Sequence, residues 1–115
     1  MYQIQNMTSD PKQKQTLVLP DGTKIEISIE FVPMQLGWFI KSLTYGDFSL
    51  TNVRITNLPD ILYQFRNRLP FGLCCVTQQN REPSQLEDFS SGASKLYVLT
   101  SEEVQQYTEF LSGQI

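Results

Sequence analysis

The feature that most constrains the fold is the run Thr23–Phe31, in which polar and apolar side chains alternate strictly from Lys24 onward. Side chains of a β-strand point alternately to opposite faces, so a period of two places all the apolar groups on one face. The residues that share this face are Ile25, Ile27, Ile29 and Phe31. We therefore predict a strand with one face on the core and the other in water.

A hairpin turn is predicted immediately before this strand. Asp21-Gly22 separates it from a second apolar run, Thr16–Leu19. Asp-Gly between two such runs is a strong hairpin signal, because both residues tolerate positive φ. The first two strands are therefore expected to be antiparallel neighbours.

Further strands are predicted from local apolar density, in Trp38–Thr44, Phe48–Ile55, Phe71–Thr77 and Lys95–Thr100. The apolar parity shifts within Phe48–Ile55, which indicates a β-bulge or bend near Thr51–Asn52. Asn57–Leu69 has spacing that allows a short helix, but its prolines and polar flanks fit an irregular crossover equally well.

The C-terminal segment, residues 100–112, has the pattern of an α-helix. Thr100-Ser101-Glu102-Glu103 is a capping box, in which the Thr100 hydroxyl and the Glu103 carboxylate each satisfy a free amide of the first turn. An apolar stripe follows at helical spacing, and Gly113 is placed to end the helix. The stripe consists of Val104, Tyr107 and Leu111.

These elements predict a mainly β fold, a small antiparallel β-barrel or sandwich of about six to seven strands with a C-terminal α-helix. The 115 residues suit one β-rich domain, with an N-terminal arm over residues 1–15. Residues 78–94 form a polar loop longer than the roughly 12–15 residues usual for unstructured connections.

Composition argues against several classes of function. Nine basic and twelve acidic residues give a net charge of −3, so we expect no general nucleic-acid-binding surface. The chain has no His, which removes His-based nucleophile activation and general base chemistry. No apolar run has the length of a membrane span and residues 1–15 have no signal-peptide core, so we expect a protein of the cytosol that is not an enzyme.

The remaining reactive side chains have structural interpretations. Adjacent Cys74 and Cys75 are expected to stay reduced, one packed in the core and the other facing out or into a contact. Glu102 and Glu103 are explained by capping, and the acids Glu82, Glu87 and Asp88 are interpreted as solvated loop residues. Arg66-Asn67-Arg68 is the only basic cluster and is interpreted as a solvated face. The residues thus provide no catalytic, cofactor or metal site.

A resemblance to one family covers nearly the whole chain, from the strand-like Tyr2–Gln5 onward. The segments that carry it are, in order, Gln15-Thr16-Leu17, Asp21-Gly22, Ile25–Phe31, Trp38, Leu69-Pro70-Phe71-Gly72-Leu73, Leu86-Glu87-Asp88-Phe89 and Lys95–Glu103. In their order and spacing the chain resembles the small plug proteins of contractile-tailed bacteriophage baseplates, including those of cyanophages.

The resemblance implies a structural virion protein in or near the tail hub and spike, which helps to close the tail channel and supports baseplate assembly. It implies hub and spike proteins of the same phage as partners, assembly in the host cytoplasm, and no cofactor, nucleic acid or membrane. Seven Phe, five Tyr and one Trp are many aromatics for one small core, which fits docking or self-association; an equally good interpretation is that a thin β-domain needs large side chains to fill its core. Our interface candidates are Trp38, Phe71, Phe89, Val104, Tyr107 and Leu111.

Two alternatives stay open on sequence alone. The first is another tail component, such as a baseplate initiator or a tube-end protein. The second is a small β-barrel module that holds a glycan, a peptide or single-stranded nucleic acid on exposed aromatics.

Overall fold

The structure is a computed structural model that describes residues 2–5 and 7–112, with side chains described as far as residue 110. Within these residues it contains eight strands, three short 3₁₀ turns and one α-helix. The strands are β1 (Tyr2–Gln3), β2 (Lys12–Val18), β3 (Lys24–Val32), β4 (Gly37–Tyr45), β5 (Phe48–Leu50), β6 (Val53–Arg54), β7 (Gly72–Thr77) and β8 (Ser94–Leu99). The helix is α1 (Ser101–Ser112), and the 3₁₀ turns span Pro33–Gln35, Tyr63–Phe65 and Gln78–Asn80.

The strands form two antiparallel sheets, which confirms the mainly β prediction in its sandwich form. One sheet has the strand order β1-β8-β7, and the other has the order β2-β3-β4-β5 with β6 also paired to β4. The structure has eight strands because the predicted Phe48–Ile55 strand divides at its bend into β5 and β6, while the strand-like N-terminus forms β1. The predicted arm over residues 1–15 is corrected, because this region supplies β1 to one sheet and the first half of β2 to the other.

The β2–β3 hairpin is confirmed, with Leu17 opposite Ile25. Its turn is one residue longer than Asp21-Gly22 alone suggests. The Gly22 N–H donates to the Leu19 carbonyl at 2.8 Å, the Leu19 N–H donates to the Thr23 carbonyl at 2.9 Å, and Gly22 has φ +90°. Only Gly22 in this turn needs positive φ, as in three-residue hairpin loops whose last residue is left-handed.

Two irregularities in the larger sheet allow both odd-numbered and even-numbered apolar residues to face the core. The β3–β4 register shifts between Ser28 and Ile29, so Ile40 and Leu43 are both buried although three positions apart. The predicted bend near Thr51–Asn52 is confirmed, because β5 and β6 are separated there and Asn52 has φ +56°.

A single core lies between the sheets. The three isoleucines of β3 are at most 2% exposed, and they belong to the same apolar cluster as Leu73 and Val98 of the smaller sheet. Truncating one such side chain to Ala would destabilise the fold by about 2–5 kcal/mol. The alternation along β3 therefore forms the inner layer of one sheet, as expected.

Residues 57–69 form an irregular crossover with one 3₁₀ turn rather than a helix. Asp60 fastens it to β7: its Oδ1 accepts hydrogen bonds from the N–H of Leu62 at 3.0 Å and of Leu73 at 3.1 Å. A Cβ at Gly72 would lie 2.5 Å from that oxygen, so the close approach requires glycine. Asp60 is 3% exposed, and burial raises the pKa of its carboxyl.

The capping box of α1 is confirmed. The Thr100 N–H donates to Glu103 Oε1 at 3.0 Å, and the Glu103 N–H donates to Thr100 Oγ1 at 3.3 Å. The helix packs against β8. Gly113, predicted to end it, lies outside the described residues.

Candidate functional site

An exposed apolar tip connects β3 to β4. Met34 is 96% exposed and Leu36 is 64% exposed, at a position where turns usually carry polar residues. The Leu36 N–H donates to the Pro33 carbonyl at 3.1 Å, and Leu36 has φ +47°. Residues 33–36, called the tip below, thus present two long apolar side chains on a strained turn.

The side chain of Arg54, in β6, is hydrogen-bonded to the backbone of the tip. Its Nη2 donates to the carbonyls of Gln35 at 3.3 Å and Leu36 at 3.2 Å. A Cβ at Gly37 would lie 2.7 Å from Nη2, so glycine makes room for the guanidinium. The guanidinium also lies 5.4 Å from the centre of the Phe39 ring, within cation–π range. The backbone of the tip is therefore fixed by a side chain that is distant in sequence.

The long loop 78–94 is ordered around Asp88, which is 2% exposed. Its carboxylate accepts two hydrogen bonds from the Arg81 guanidinium, at 2.7 and 2.9 Å. It accepts two more from the backbone N–H groups of Ser84 at 2.8 Å and Gln85 at 2.9 Å. The expectation that Asp88 is a solvated loop acid is corrected, because it is the buried acceptor that closes the loop. The Arg81 hydrogen bonds lower the pKa of the Asp88 carboxyl.

Trp38 attaches this loop to the larger sheet. Its Nε1–H donates to the Gln85 carbonyl at 3.0 Å, and its ring lies 5.4 Å from that of Phe89 in an edge-to-face arrangement. Trp38 is fully buried and Phe89 is 6% exposed. The interface role expected for these two side chains is corrected: both fill the core beneath the loop and offer no surface to a partner.

The other interface candidates are also placed within the fold. Phe71 is 1% exposed against Tyr45, and Val104 is 8% exposed, so both are core residues rather than docking residues. Tyr107 is half-buried, with its ring 5.2 Å from that of Tyr63. The side chain of Leu111 lies outside the described residues.

Arg54 joins the tip and the long loop into one surface. Its Nε lies 3.5 Å from the Glu82 carboxylate, while its Nη2 holds the tip. Trp38, one residue after Gly37, holds the same loop through Gln85. Sequence reasoning missed the tip, although Pro33-Met34-Gln35-Leu36 places two apolar residues in a turn between strands, which was a usable signal.

The cysteines offer no reactive nucleophile. Both thiols are free; Cys75 is 2% exposed and Cys74 is half-buried, as expected of one core and one outward residue. Burial raises the pKa of Cys75 to about 11 and also raises that of Cys74. A thiolate is the reactive form, and it is disfavoured at both positions.

Residues 2–5 and 7–112 contain no group of three or more His, Cys, Asp or Glu side chains placed to hold a metal ion. Nor does that part of the chain contain a helix long and apolar enough to span a membrane. No protein-family model matches the chain, and no curated protein is significantly similar to it.

Proposed function

We propose that the chain is a structural protein of a contractile-tail baseplate, which docks on hub or spike subunits, helps to close the tail channel and is incorporated into the virion. The observation that carries the docking role is the exposed tip with Met34 and Leu36, fixed by Arg54. The assignment to a baseplate rests on the sequence resemblance described above.

Met34 and Leu36 of the tip have the properties of anchor residues, which insert into a pocket of a binding partner. Burying a Met or Leu side chain contributes about 1.5–3 kcal/mol, so the pair can contribute about 3–6 kcal/mol before the costs of association. Because Arg54 already fixes the tip backbone, little further ordering is needed on binding. A rigid apolar projection fits a pocket on a partner subunit.

The proposal is tested by affinity purification of the tagged chain from cells producing the parent phage, with co-purifying proteins identified and counted by mass spectrometry. The informative variant is Met34→Gln/Leu36→Asn, which makes the tip polar while Asn suits the positive φ at position 36. The matched control is Leu58→Asn, since Leu58 is 54% exposed but lies outside the tip.

Hub or spike subunits should be recovered in a fixed low ratio with the wild type and the control, and be lost with the tip variant. Equal recovery with the tip variant would remove the tip from the interface. Copy numbers in multiples of six would favour a tube-end or related component over a plug. Recovery of no tail protein, with a monomeric chain, would refute the structural role and favour a free-standing binding module.

A further inference from the structure

The two sheets leave an open seam where the free edges of β1 and β2 face each other. Among the described residues β1 pairs only with β8, and β2 pairs only with β3. Between them lies a groove of about 430 Å³, lined by residues 2–5 on one side and residues 14–18 on the other. Five strand residues span roughly 17 Å at about 3.4 Å each, which is the length of a short strand.

The hydrogen-bonding parity of β2 shows which backbone groups face this seam. Pro11 and Leu19 flank β2 and are hydrogen-bonded on its β3 side. The Phe31 N–H of β3 donates to the Pro11 carbonyl, and the Leu19 N–H donates to the carbonyl of Thr23, the residue before β3. In an antiparallel pair alternate residues bond to the neighbour, so the odd-numbered residues of β2 bond to β3. The N–H and C=O groups of Lys14 and Thr16 therefore point away from β3, into the seam.

The same reasoning applies to β1. The Ile4 N–H donates to the Leu96 carbonyl at 2.8 Å, so the even-numbered residues of β1 bond to β8. The backbone groups of Gln3 consequently face the seam. One hydrogen bond between described residues crosses it, from the Tyr2 hydroxyl to the Val18 carbonyl, and this closes one end. The other end, beside Lys14, is open in the sense that no backbone hydrogen bond between described residues closes it.

The charge beside the open end is positive. Lys12, Lys14 and Lys41 surround Glu30 on the outer face of the larger sheet. Glu30 lies 3.7 Å from the Lys12 ammonium and 3.4 Å from that of Lys41. Among the described residues Lys14 has no carboxylate within salt-bridge distance, and Glu30 is the one acid of the surface that these three lysines line. Glu26 lies opposite Thr16, further along the seam.

We infer that the β1–β2 seam accepts an extended, acidic segment of a partner protein as an additional strand. Main-chain hydrogen bonds to β1 and β2 would hold the segment, as in other cases of β-augmentation, and the lysines would select acidic side chains beside them. The occupant would close this side of the sandwich. The inference does not depend on the proposed baseplate role.

The probe is an acetylated heptapeptide in which Glu alternates with Thr, titrated into the isotopically labelled full chain. The readout is amide hydrogen exchange and NMR chemical shift, followed at Gln3, Lys14 and Thr16. Two comparison peptides are used: one in which Lys replaces Glu, and one with the Glu/Thr sequence and alternate N-methylated amides, which cannot pair as a strand. At saturation the acidic peptide should slow exchange at these amides at least about tenfold.

Three variants separate backbone pairing from charge. Thr16→Pro removes a seam-facing N–H without removing a bond to β3, and should abolish protection. Lys14→Glu leaves the backbone intact and balances two lysines against two acids, so it should remove the preference for the acidic peptide. Lys24→Glu, the same charge change on β3 opposite Val18, at the end of the seam that the Tyr2 hydroxyl closes, should leave the preference unchanged.

Several results would overturn the inference. One is no protection by the acidic peptide up to about 1 mM. A second is binding of the N-methylated peptide as tight as that of the acidic peptide. A third is protection in Thr16→Pro equal to that in the wild type, with the β3 amides unchanged. Either result would mean that the peptide is attracted by the lysines alone. The last is protection of the same amides without peptide that increases with protein concentration, which would make a second copy of the chain the occupant. None of these variants alters the tip, so failure here is distinguishable from failure of the proposed function.

Discussion

The buried carboxylate of Asp88 should contribute about 3 kcal/mol to stability, and Asp88→Ala measures this. Asp88 is 2% exposed and accepts four hydrogen bonds, two from Arg81 and two from backbone N–H groups. Removing one partner of a buried ion pair typically costs about 3–5 kcal/mol. The Arg81 side chain is 34% exposed and can be partly rehydrated, so we expect the lower end of that range.

Urea and thermal unfolding at pH 7 provide the assay. For a chain of this size, about 3 kcal/mol corresponds to a melting temperature lower by about 10–15 °C. Glu87→Ala is the matched control, because Glu87 is exposed in the same loop, and it should change stability by less than about 0.5 kcal/mol. Combining Asp88→Ala with Arg81→Ala should reveal a coupling energy of about 2 kcal/mol.

The pH dependence gives an independent check on the same ion pair. The lowered pKa of Asp88 means that its stabilisation is present above the unfolded-state pKa of about 3.9 and is lost as the pH falls through the folded-state value. The stability difference between wild type and Asp88→Ala should therefore shrink as the pH falls below about 4. A difference that stays constant with pH, or a variant as stable as Glu87→Ala, would refute the view that this carboxylate holds the loop.

Three further outcomes are expected. The raised pKa of Asp60 means that its own contribution to stability is fully present below the unfolded-state pKa of about 3.9 and is lost as the pH rises through the folded-state value. Asp60→Asn should flatten that decline in urea unfolding from pH 4 to about pH 7, and an unchanged decline would contradict this assignment. Thr100→Ala should cost about 1 kcal/mol by loss of the cap to Glu103, measured by circular dichroism during unfolding. Native-state labelling at pH 8 should modify Cys74 at least about ten times faster than buried Cys75, and equal rates would disprove their different exposure.

The parts of the fold that sequence predicted are those set by local physical chemistry. The alternation along β3, the Gly22 turn and the Thr100 cap each depend on residues a few positions apart, and each is found as expected. The break at Asn52 was also readable, because a change of apolar parity requires a change of backbone geometry. A two-residue alternation and a capping box each involve only residues within one short segment, so the sequence of that segment is enough to predict them.

The errors arose where exposure depends on contacts that no short repeating pattern encodes. Trp38 and Phe89 were assigned to a surface because aromatic residues are common at interfaces, yet each is buried by the other across the long loop. Asp88 was interpreted as solvated because its backbone donors converge on it only once the loop is folded. No periodic pattern encodes such convergence.

The tip and the seam present different chemistry, and this difference determines how each is recognised. Met34 and Leu36 offer side-chain area, whereas Lys14 and Thr16 offer backbone groups on a sheet edge. Polar substitution therefore tests the tip, while proline tests the seam. Both sites are attached to one core, so a partner with an apolar pocket and an acidic arm that reach both at once would gain about 10²–10⁴ in avidity over either contact alone. In such a complex a variant that abolishes one contact would reduce binding by that avidity factor, down to the affinity of the remaining contact.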